Sequence, residues 1–288
     1  MSKRKNERVG AMPYLSLTSW SLHRNLGPLR WTRWDDNTRT QFTDAQEQPE
    51  LLSLLELPAV LAKKGFTSLE VCHFHFPETS ATYLSSLKNA FAEAKLRFYT
   101  LLLEYGDISS SDETRRQSDI TWIKGWIDIA AAVGAERVRV IAGEADPAVQ
   151  AALVRSTNAL RELAQYGSTQ GVRVITENFK SLSSTADNCL SLLEGVGEQL
   201  GFTSDFGNFK GAGKFDELVR TLPYSESVHA KAQTNAEGIP DEAEFIRCLD
   251  IVKEARYEGP LTLVYDGPGD MWEGIARVRR IVEPYCTK

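Results

Sequence analysis

Cysteine is scarce in this sequence of 288 residues, and its placement excludes two kinds of small-domain scaffold. The four cysteines lie far apart and form no C-x-x-C pair, so they fit neither a zinc ribbon nor a dense disulfide framework. We interpret them as buried thiols of a protein in a reducing compartment. They are Cys72, Cys189, Cys248 and Cys286.

Long hydrophobic runs are also absent. Apolar runs such as Leu101-Leu102-Leu103 fall far below the roughly 18 residues that span a bilayer. The first ten residues are basic, but the apolar stretch of roughly 7–15 residues that a secretory signal requires does not follow them. The sequence therefore predicts no membrane association, a flexible basic N-terminus over residues 1–10, and a cytoplasmic location.

An excess of positive charge is missing as well, since 33 lysines and arginines face 39 acidic residues for a net charge of −6. Such a surface repels phosphate backbones, and contacts between basic side chains and phosphates supply most non-specific affinity for nucleic acid. We therefore expect no nucleic-acid partner. With 42% hydrophobic and 25% charged residues, the composition is that of an ordinary globular protein that can bury one large core.

Short apolar runs alternate with longer segments of 3.6-residue hydrophobic periodicity, and this alternation repeats eight times. Alternation of this kind is typical of repeated βα units and a parallel sheet. The predicted strands cover residues 14–19, 68–73, 97–103, 137–141, 172–176, 201–205, 227–231 and 261–265. The predicted helices cover residues 51–64, 79–95, 113–133, 147–170, 185–197, 213–221, 240–256 and 270–283.

Eight βα units in a chain of this length predict a single-domain α/β fold over residues 1–288, a (β/α)8 or TIM barrel. Closure of eight parallel strands pairs every sheet edge, which an open sheet cannot do. A doubly wound Rossmann-type sheet is the competing architecture. It is disfavoured because no G-x-G-x-x-G follows the first predicted strand.

One connection lacks clear periodicity, the segment 24–50 between the first predicted strand and the first predicted helix. Loops of this length in compact domains are usually functional or disordered. Because the segment follows a strand, we expect it to lie over the C-terminal mouth of the barrel, where active sites of this fold are found. Its tryptophans, Trp31 and Trp34, are expected either to bind substrate as part of a lid, by stacking on a sugar ring, or to fix a structural loop to the rim.

All four histidines fall near predicted strand ends, with His23 after the first strand, His73 and His75 at the second, and His229 in the seventh. In a closed barrel these ends converge on one cavity, so chemistry is expected there. A single histidine is more often a hydrogen-bonded structural residue, but four near one face favour a site. His23, His73 and His75 are therefore candidate substrate-binding residues, with hydrogen bonding at the rim as the alternative.

Three consecutive predicted strands carry residues that bind metals. Glu177 ends the fifth strand, Asp205 ends the sixth and His229 lies in the seventh, each about one βα unit after the last. Two buried carboxylates without partners are costly, and a divalent ion between them removes that cost. Mixed oxygen and imidazole ligands suit Mn²⁺, Co²⁺ or Mg²⁺ in preference to Zn²⁺. A hydrogen-bonded polar cluster without a metal is the alternative.

Several short motifs occur in a specific order from Leu51 to about Tyr285. They are residues 62–71 (AKKGFTSLEV), 130–135 (AAAVGA), 177–178 (EN), 205–208 (DFGN), 229–231 (HAK) and 257–263 (YEGPLTL). In these motifs the chain resembles the xylose isomerase-like TIM-barrel superfamily of sugar isomerases and epimerases, which also includes endonuclease IV-type enzymes. The resemblance covers most of the chain and implies the same barrel fold.

The resemblance also implies a metal site whose ligands are Glu, Asp, His and a second Glu, one from each of the last four strands. Glu177, Asp205 and His229 match the first three. The fourth position is occupied by Val264, and Asp266 shares its inward face about 6.6 Å further along the strand. Asp266 is therefore a predicted metal ligand only through a bulge, a shifted register, a bound water or a displaced ion.

Isomerases and epimerases of this superfamily abstract a proton next to a carbonyl and return it, while the ion polarises substrate oxygens. By this resemblance Glu177 is the candidate base, and the missing second base is expected to be Asp266, Glu104 or a histidine. Lys231 is a candidate catalytic residue that hydrogen-bonds a substrate hydroxyl or carboxylate. The alternative for Lys231 is a rim lysine paired with Asp205 or Glu177. Asn208 is expected to bind substrate or to orient a metal ligand.

The resemblance thus implies a divalent-metal-dependent sugar isomerase or epimerase with one ion, a small-molecule carbohydrate substrate and a tendency to form homodimers. Loss of the second base leaves a keto-sugar lyase or dehydratase as one alternative. A carbohydrate-binding barrel without catalysis is another, supported by Val264. An abasic-site endonuclease is disfavoured, because nucleases of the superfamily bind zinc with many histidines and this acidic chain has only four.

Overall fold

Eight parallel strands close into a barrel within residues 12–286, the part of the chain that the computed structural model describes. The strands are numbered along the chain together with two strands of a separate hairpin. Around the ring they are β1 (Tyr14–Thr18), β10 (Pro260–Val264), β9 (Ser225–Lys231), β8 (Gly201–Asp205), β7 (Arg173–Glu177), β6 (Arg137–Arg139), β5 (Arg97–Leu102) and β4 (Ser68–Cys72). The closed ring confirms the predicted single-domain TIM barrel, and the predicted basic segment 1–10 lies outside the described residues.

Helices connect successive strands of the ring, and their positions agree with the predicted helices to within a few residues at most boundaries. In the described residues they are α1 (Leu57–Lys63), α2 (Ala81–Ala94), α3 (Glu113–Val133), α4 (Gln150–Thr169), α5 (Ala186–Val196), α6 (Lys214–Thr221), α7 (Glu242–Glu254) and α8 (Met271–Val282). None of them combines the length and the apolar character that a membrane crossing requires.

Helix α3 shows why the helices were readable in the sequence. Its apolar residues recur at helical spacing, and Ile123, Ile127 and Ala130 are fully buried. The Asp112 side chain caps its first turn by accepting hydrogen bonds from the Thr114 and Arg115 amides. Gly134 ends the helix at a φ of 76°, a left-handed conformation that glycine adopts without a Cβ clash.

Segment 24–50 folds into an antiparallel hairpin of β2 (Leu29–Asp35) and β3 (Thr40–Gln46). No alternating pattern marked these strands in the sequence, because most of β3 is exposed on both faces. Arg39 Nη2 pairs with Asp112 Oδ1 at 2.7 Å, and Gln41 Nε2 donates to Asp119 Oδ1 at 3.1 Å. The hairpin is therefore fastened to α3, while its action as a lid stays a prediction.

The two ends of the barrel differ in chemistry. At the amino ends of the strands, Glu226 forms ion pairs with Arg173 at 2.5 Å and with Arg137 at 3.2 Å. Tyr99 also donates its hydroxyl proton to the Glu226 carbonyl at 2.6 Å. This network fills the amino end with paired charges. The opposite end, where the strands finish at their carboxyl ends, opens into a cavity.

Candidate functional site

The carboxyl ends of β7, β8 and β9 bring Glu177, Asp205 and His229 together at the mouth of the barrel. All three side chains are buried, and one ligand atom from each lies within 4.8 Å of the other two. Nδ1 of His229 is 3.5 Å from Glu177 Oε1 and 3.5 Å from Asp205 Oδ2. Neighbouring parallel strands end at one rim, so the convergence expected from the strand ends is present.

Glu70, on β4 and fully buried, fixes the orientation of the His229 ring from behind. Its Oε2 is 3.0 Å from His229 Nε2, while its Oε1 accepts hydrogen bonds from Ser227 at 2.5 Å and Thr262 at 2.9 Å. Burial alone would raise the pKa of Glu70, but His229 and the hydroxyl donors outweigh it and lower that pKa below its ordinary value. With Nε2 held by Glu70, Nδ1 is the ring atom that faces the other two candidate ligands.

The charge state of His229 follows from the carboxylates around it. Burial alone would lower its pKa, but Glu177, Glu70 and the hydrogen bond with Asp205 raise the pKa well above the ordinary value. Without a metal, the ring is therefore protonated on both nitrogens, and each nitrogen faces at least one carboxylate. A metal ion at Nδ1 would take the place of the proton there.

Amide groups hold the two acidic ligands in place. Asn178 Oδ1 accepts a hydrogen bond from the Asp205 amide at 2.7 Å, and its Nδ2 donates to the Asp205 carbonyl at 3.0 Å. The Gly207 amide donates to Asp205 Oδ1 at 2.5 Å, which leaves Oδ2 facing His229. Asn208 Nδ2 donates to Glu177 Oε1 at 3.0 Å. The structure thus places the predicted Asn208 in contact with a candidate ligand.

These donors fit a divalent ion of the catalytic type. Two carboxylates and one imidazole converge, and three protein ligands leave coordination positions open for substrate or water. A carboxylate on the far nitrogen of the histidine is the arrangement usually found around metal-binding histidines. Among the described residues, Glu177 Oε2 is buried and makes no well-formed hydrogen bond. The cluster therefore has the donor chemistry and the orientation that an ion requires.

Asp266, the predicted fourth ligand, lies apart from this cluster. Its carboxylate is 2.6 Å from Lys231 Nζ, and the group of converging ligand atoms found in the described residues contains only the other three side chains. Val264 pairs directly with Lys231 across β10 and β9, and it is 5% exposed. The position of the absent glutamate is thus apolar, and the binding of an ion by Asp266 stays a prediction.

The cavity above the cluster has a volume of ≈ 300 Å³ and two chemically different walls. Glu177, Asp205 and His229 lie on the polar side, together with Asn208 and Lys231. The opposite side is aromatic. It is formed by Trp20, which follows β1, by Trp31 of the hairpin and by Phe74, which follows β4.

The aromatic wall is built from rings in mutual contact. The Trp31 and Phe74 ring centroids are 4.4 Å apart, and Trp20 meets Phe74 edge to face at 5.9 Å. Trp31 also donates its indole proton to Gln46 Oε1 at 3.1 Å, which fixes the ring within the hairpin. The predicted Trp31 therefore lines the cavity, whereas Trp34 is not among its lining residues in the described chain.

The other three histidines lie behind this wall. His23 stacks on Trp20 with ring centroids 4.1 Å apart, and its Nδ1 bonds the Trp20 carbonyl at 2.7 Å. His75 Nδ1 is 2.8 Å from Ser19 Oγ, and His73 Nδ1 accepts from the Glu104 amide at 3.2 Å. In the described residues these rings hold the wall and are absent from the cavity lining, so their predicted contact with substrate stays a prediction.

Sequence reasoning assigned no site role to several residues that the structure places here. Arg139 is buried on β6 and lies beside Glu177, and Glu70 holds His229. The sequence did contain a signal for Arg139. Arginines alternate with Val138 in this strand, and a charged residue inside a barrel strand must find a buried partner. Trp20 followed the first strand directly, a position at the rim that the strand assignment already identified.

Replacing Glu70 with alanine should weaken Mn²⁺ binding by about 10- to 100-fold, because the His229 ring loses the group that orients it. Glu70→Gln keeps an acceptor for Nε2 and should have the smaller effect. Isothermal titration calorimetry on metal-free protein measures both. Glu226→Gln, a change of the same type at the amino end of the barrel, is the matched control, and an equal loss of affinity in that variant would contradict the role of Glu70.

A family model described as xylose isomerase-like TIM barrel matches residues 58–281. A search of curated protein sequences gives no significant match. The fold is similar to D-allulose 3-epimerase from Methylomonas sp. in complex with D-allulose, with a TM-score of 0.68, 14% identity, and coverage of 96% of this chain and 98% of that chain.

Two further solved structures share the fold. One is 3-keto-D-glucoside 4-epimerase from E. coli, with a TM-score of 0.62, 17% identity, and coverage of 79% of this chain and 94% of that chain. The other is a probable 3-DHS dehydratase from Bacillus anthracis, with a TM-score of 0.67, 17% identity, and coverage of 93% and 98%. At these identities the solved structures establish the fold alone, whereas the family model spans most of the chain. The chain therefore belongs to the xylose isomerase-like TIM barrel family.

Proposed function

We propose that this protein is a divalent-metal-dependent isomerase or epimerase of a sugar or sugar derivative, acting by proton abstraction next to a carbonyl. The observation that carries the proposal is the convergence of Glu177, Asp205 and His229 in the lining of the cavity at the carboxyl ends of the strands. Glu177 Oε1, Asp205 Oδ2 and His229 Nδ1 would hold one ion. Mixed oxygen and imidazole donors favour Mn²⁺, Co²⁺ or Mg²⁺ over Zn²⁺.

A bound divalent ion would polarise the substrate's oxygens and stabilise the negative charge that develops when the neighbouring carbon loses its proton. Glu177 takes that proton and, in an isomerisation, returns it to the adjacent carbon. Epimerisation needs a second group to protonate the opposite face, and Asp266 is the candidate for it. Asn208 steadies Glu177 through its hydrogen bond to Oε1. Lys231, a cavity-lining cation, donates a hydrogen bond to a substrate oxygen.

The shape and lining of the cavity support a carbohydrate substrate. At ≈ 300 Å³ the cavity lies at the small end of ligand pockets and suits a molecule of monosaccharide size. Sugars present hydroxyl groups at their edges and C–H groups on their faces. The polar wall can bond the hydroxyls while Trp31 and Trp20 stack on a C–H face. The D-allulose complex of a structure with the same fold agrees with this assignment.

A keto-sugar lyase or dehydratase is the second candidate, and the observation that favours it is Val264 at the place of a second carboxylate base. Elimination needs only one base and one acid. Glu177 would remove the proton next to the carbonyl, the neighbouring C–O bond would break as the C=C bond forms, and Lys231 would give its proton to the departing hydroxyl to release water. The probable 3-DHS dehydratase with the same fold agrees with this alternative.

Incubation of Mn²⁺-loaded protein with ketohexoses in D₂O tests both candidates. An isomerase or epimerase should place deuterium on the carbon next to the carbonyl without loss of water, as read by NMR. A lyase should release a product lighter by one water, as read by mass spectrometry. Chelator-treated protein is the control. Binding of sugars without either reaction would instead support a barrel that has lost catalysis.

The proposal assigns the protein a small-molecule carbohydrate partner rather than nucleic acid or a membrane. Pairing into a homodimer and a cytoplasmic location remain predictions of the sequence. Light scattering of the purified protein measures its mass in solution, and a value close to that of one chain would contradict the homodimer.

A further inference from the structure

Arg139 puts a permanent positive charge beside the candidate metal ligands. The side chain is only 2% exposed, although it carries a guanidinium group that stays ionised in proteins. Its Nη1 donates to the Leu103 carbonyl at 2.7 Å, and its Nη2 forms an ion pair with Glu104. Its Nε lies 3.1 Å from Glu177 Oε2. One guanidinium is thus shared between a carboxylate that lines the cavity and a carboxylate of the metal cluster.

The contact between Arg139 and Glu177 is an ion pair without a well-formed hydrogen bond. Among the described residues, Arg139 Nε and Glu177 Oε2 are both buried and lack a hydrogen-bond partner of good geometry. The stronger contact of the guanidinium is with Glu104, which it meets through Nη2. Glu104 therefore draws the guanidinium away from Glu177, and the position of the positive charge depends on the balance between two carboxylates.

A divalent ion bound by Glu177 would meet this charge at close range. Like charges a few ångströms apart repel strongly at the low effective dielectric of a protein interior. Val264, on the opposite side of the barrel, adds no negative charge that would offset this repulsion. Arg139 and Val264 therefore both lower the affinity of the site for a divalent ion. The cation at position 139 also occupies Glu177 Oε2 and leaves Oε1 as the oxygen directed at His229.

We propose that Arg139 is a positioning residue that sets the metal affinity of this site, by holding Glu177 Oε2 and by weakening the binding of a divalent cation. The proposal rests on the metal site of the proposed function. Glu104 counteracts Arg139 by attracting the guanidinium to itself. The bound ion is consequently exchangeable, and the activity follows the free concentration of the divalent cation rather than a permanently loaded site.

This proposal predicts opposite signs for two substitutions in one ion pair. Arg139→Met removes the repelling charge and should tighten Mn²⁺ binding at least tenfold, about 1.4 kcal/mol. Glu104→Gln frees the guanidinium to move fully onto Glu177 and should weaken Mn²⁺ binding by a similar factor. If the ion pair were merely structural, both substitutions would lower the Mn²⁺ affinity, because either change would disturb the site.

Calorimetric titration of metal-free protein with MnCl₂ measures these affinities. Arg173→Met, which breaks an arginine–glutamate pair at the amino end of the barrel, is the matched control and should leave Mn²⁺ binding unchanged. If Arg139→Met fails to fold, the double variant Arg139→Met/Glu104→Gln removes both charges together. It should bind Mn²⁺ more tightly than Glu104→Gln alone.

The possible results separate this proposal from the proposed function. If the wild-type protein binds Mn²⁺ and Arg139→Met leaves that affinity unchanged or lowers it, the proposed role of Arg139 is wrong and the metal site still stands. Binding that appears only in Arg139→Met supports the role of Arg139 and contradicts a metal-dependent function for the natural chain. No Mn²⁺ binding by any folded variant overturns both.

Discussion

Replacing Glu177 with glutamine should lower the rate of proton exchange on an active substrate by about 100- to 10,000-fold, the contribution typical of a general base. Glutamine keeps the size of the side chain and an oxygen that can accept the hydrogen bond from Asn208. It cannot take a proton from carbon. Exchange is measured by NMR in D₂O at Mn²⁺ concentrations that saturate the variant, so that weaker metal binding does not contribute.

The control for Glu177→Gln is Glu226→Gln, which removes a carboxylate from the amino end of the barrel and should leave exchange unchanged. Stability of both variants is checked by thermal unfolding. If the saturated Glu177→Gln protein exchanges the substrate proton at nearly the wild-type rate, Glu177 is not the base, and the proton must go to another group.

Acidification should destabilise the fold through His73 and His75. Burial lowers the pKa of each ring from its ordinary 6.5 to about 3, with Arg139 adding to the effect at His73 and His23 adding to it at His75. The folded protein therefore keeps both rings neutral, whereas the unfolded chain protonates them below pH 6.5. Since the unfolded state binds more protons between pH 3 and pH 6.5, stability falls as the pH falls through that range.

We expect the free energy of unfolding to drop by about 3 kcal/mol between pH 6.5 and pH 5, with both histidines contributing equally. His229, whose pKa is raised, has the opposite sign, but most of its contribution lies above pH 6.5. Urea unfolding at a series of pH values measures the slope. His75→Gln should remove about half of it, and a profile that stays flat from pH 6.5 to pH 5 in the wild-type protein would contradict the neutral buried rings.

The barrel could be predicted because each of its repeats carries a local signal. The apolar stripe and the glycine at the end of α3 are visible without knowledge of the fold, and so are the apolar runs of the strands. Once eight units are recognised, the carboxyl ends of the strands must share one rim. Glu177, Asp205 and His229 could therefore be grouped from their positions in consecutive strands alone.

Other parts of the site depend on geometry that one chain segment does not encode. The partner of Glu70 is set by the shear and register of the ring, which bring β4 within reach of His229 on β9. The same holds for Arg139 and Glu177 on neighbouring strands. The hairpin of β2 and β3 was missed because its exposed faces need no hydrophobic alternation.

The displacement of Asp266 was anticipated from strand spacing, whereas its partner was not. Two residues of extended chain put it well beyond Val264, so its separation from the cluster follows from backbone dimensions. Lys231 lies directly across from Val264 in the neighbouring strand, and its long side chain reaches the Asp266 carboxylate. That reach depends on a side-chain conformation, which the pattern of the sequence does not specify.

Anomalous diffraction from crystals grown with Mn²⁺ tests the proposed metal site most directly. We expect one strong manganese peak in the barrel mouth, coordinated by Glu177 Oε1, Asp205 Oδ2 and His229 Nδ1, with Arg139 still beside Glu177 Oε2. A mouth without manganese at saturating concentration, or manganese held only by other side chains, would contradict it.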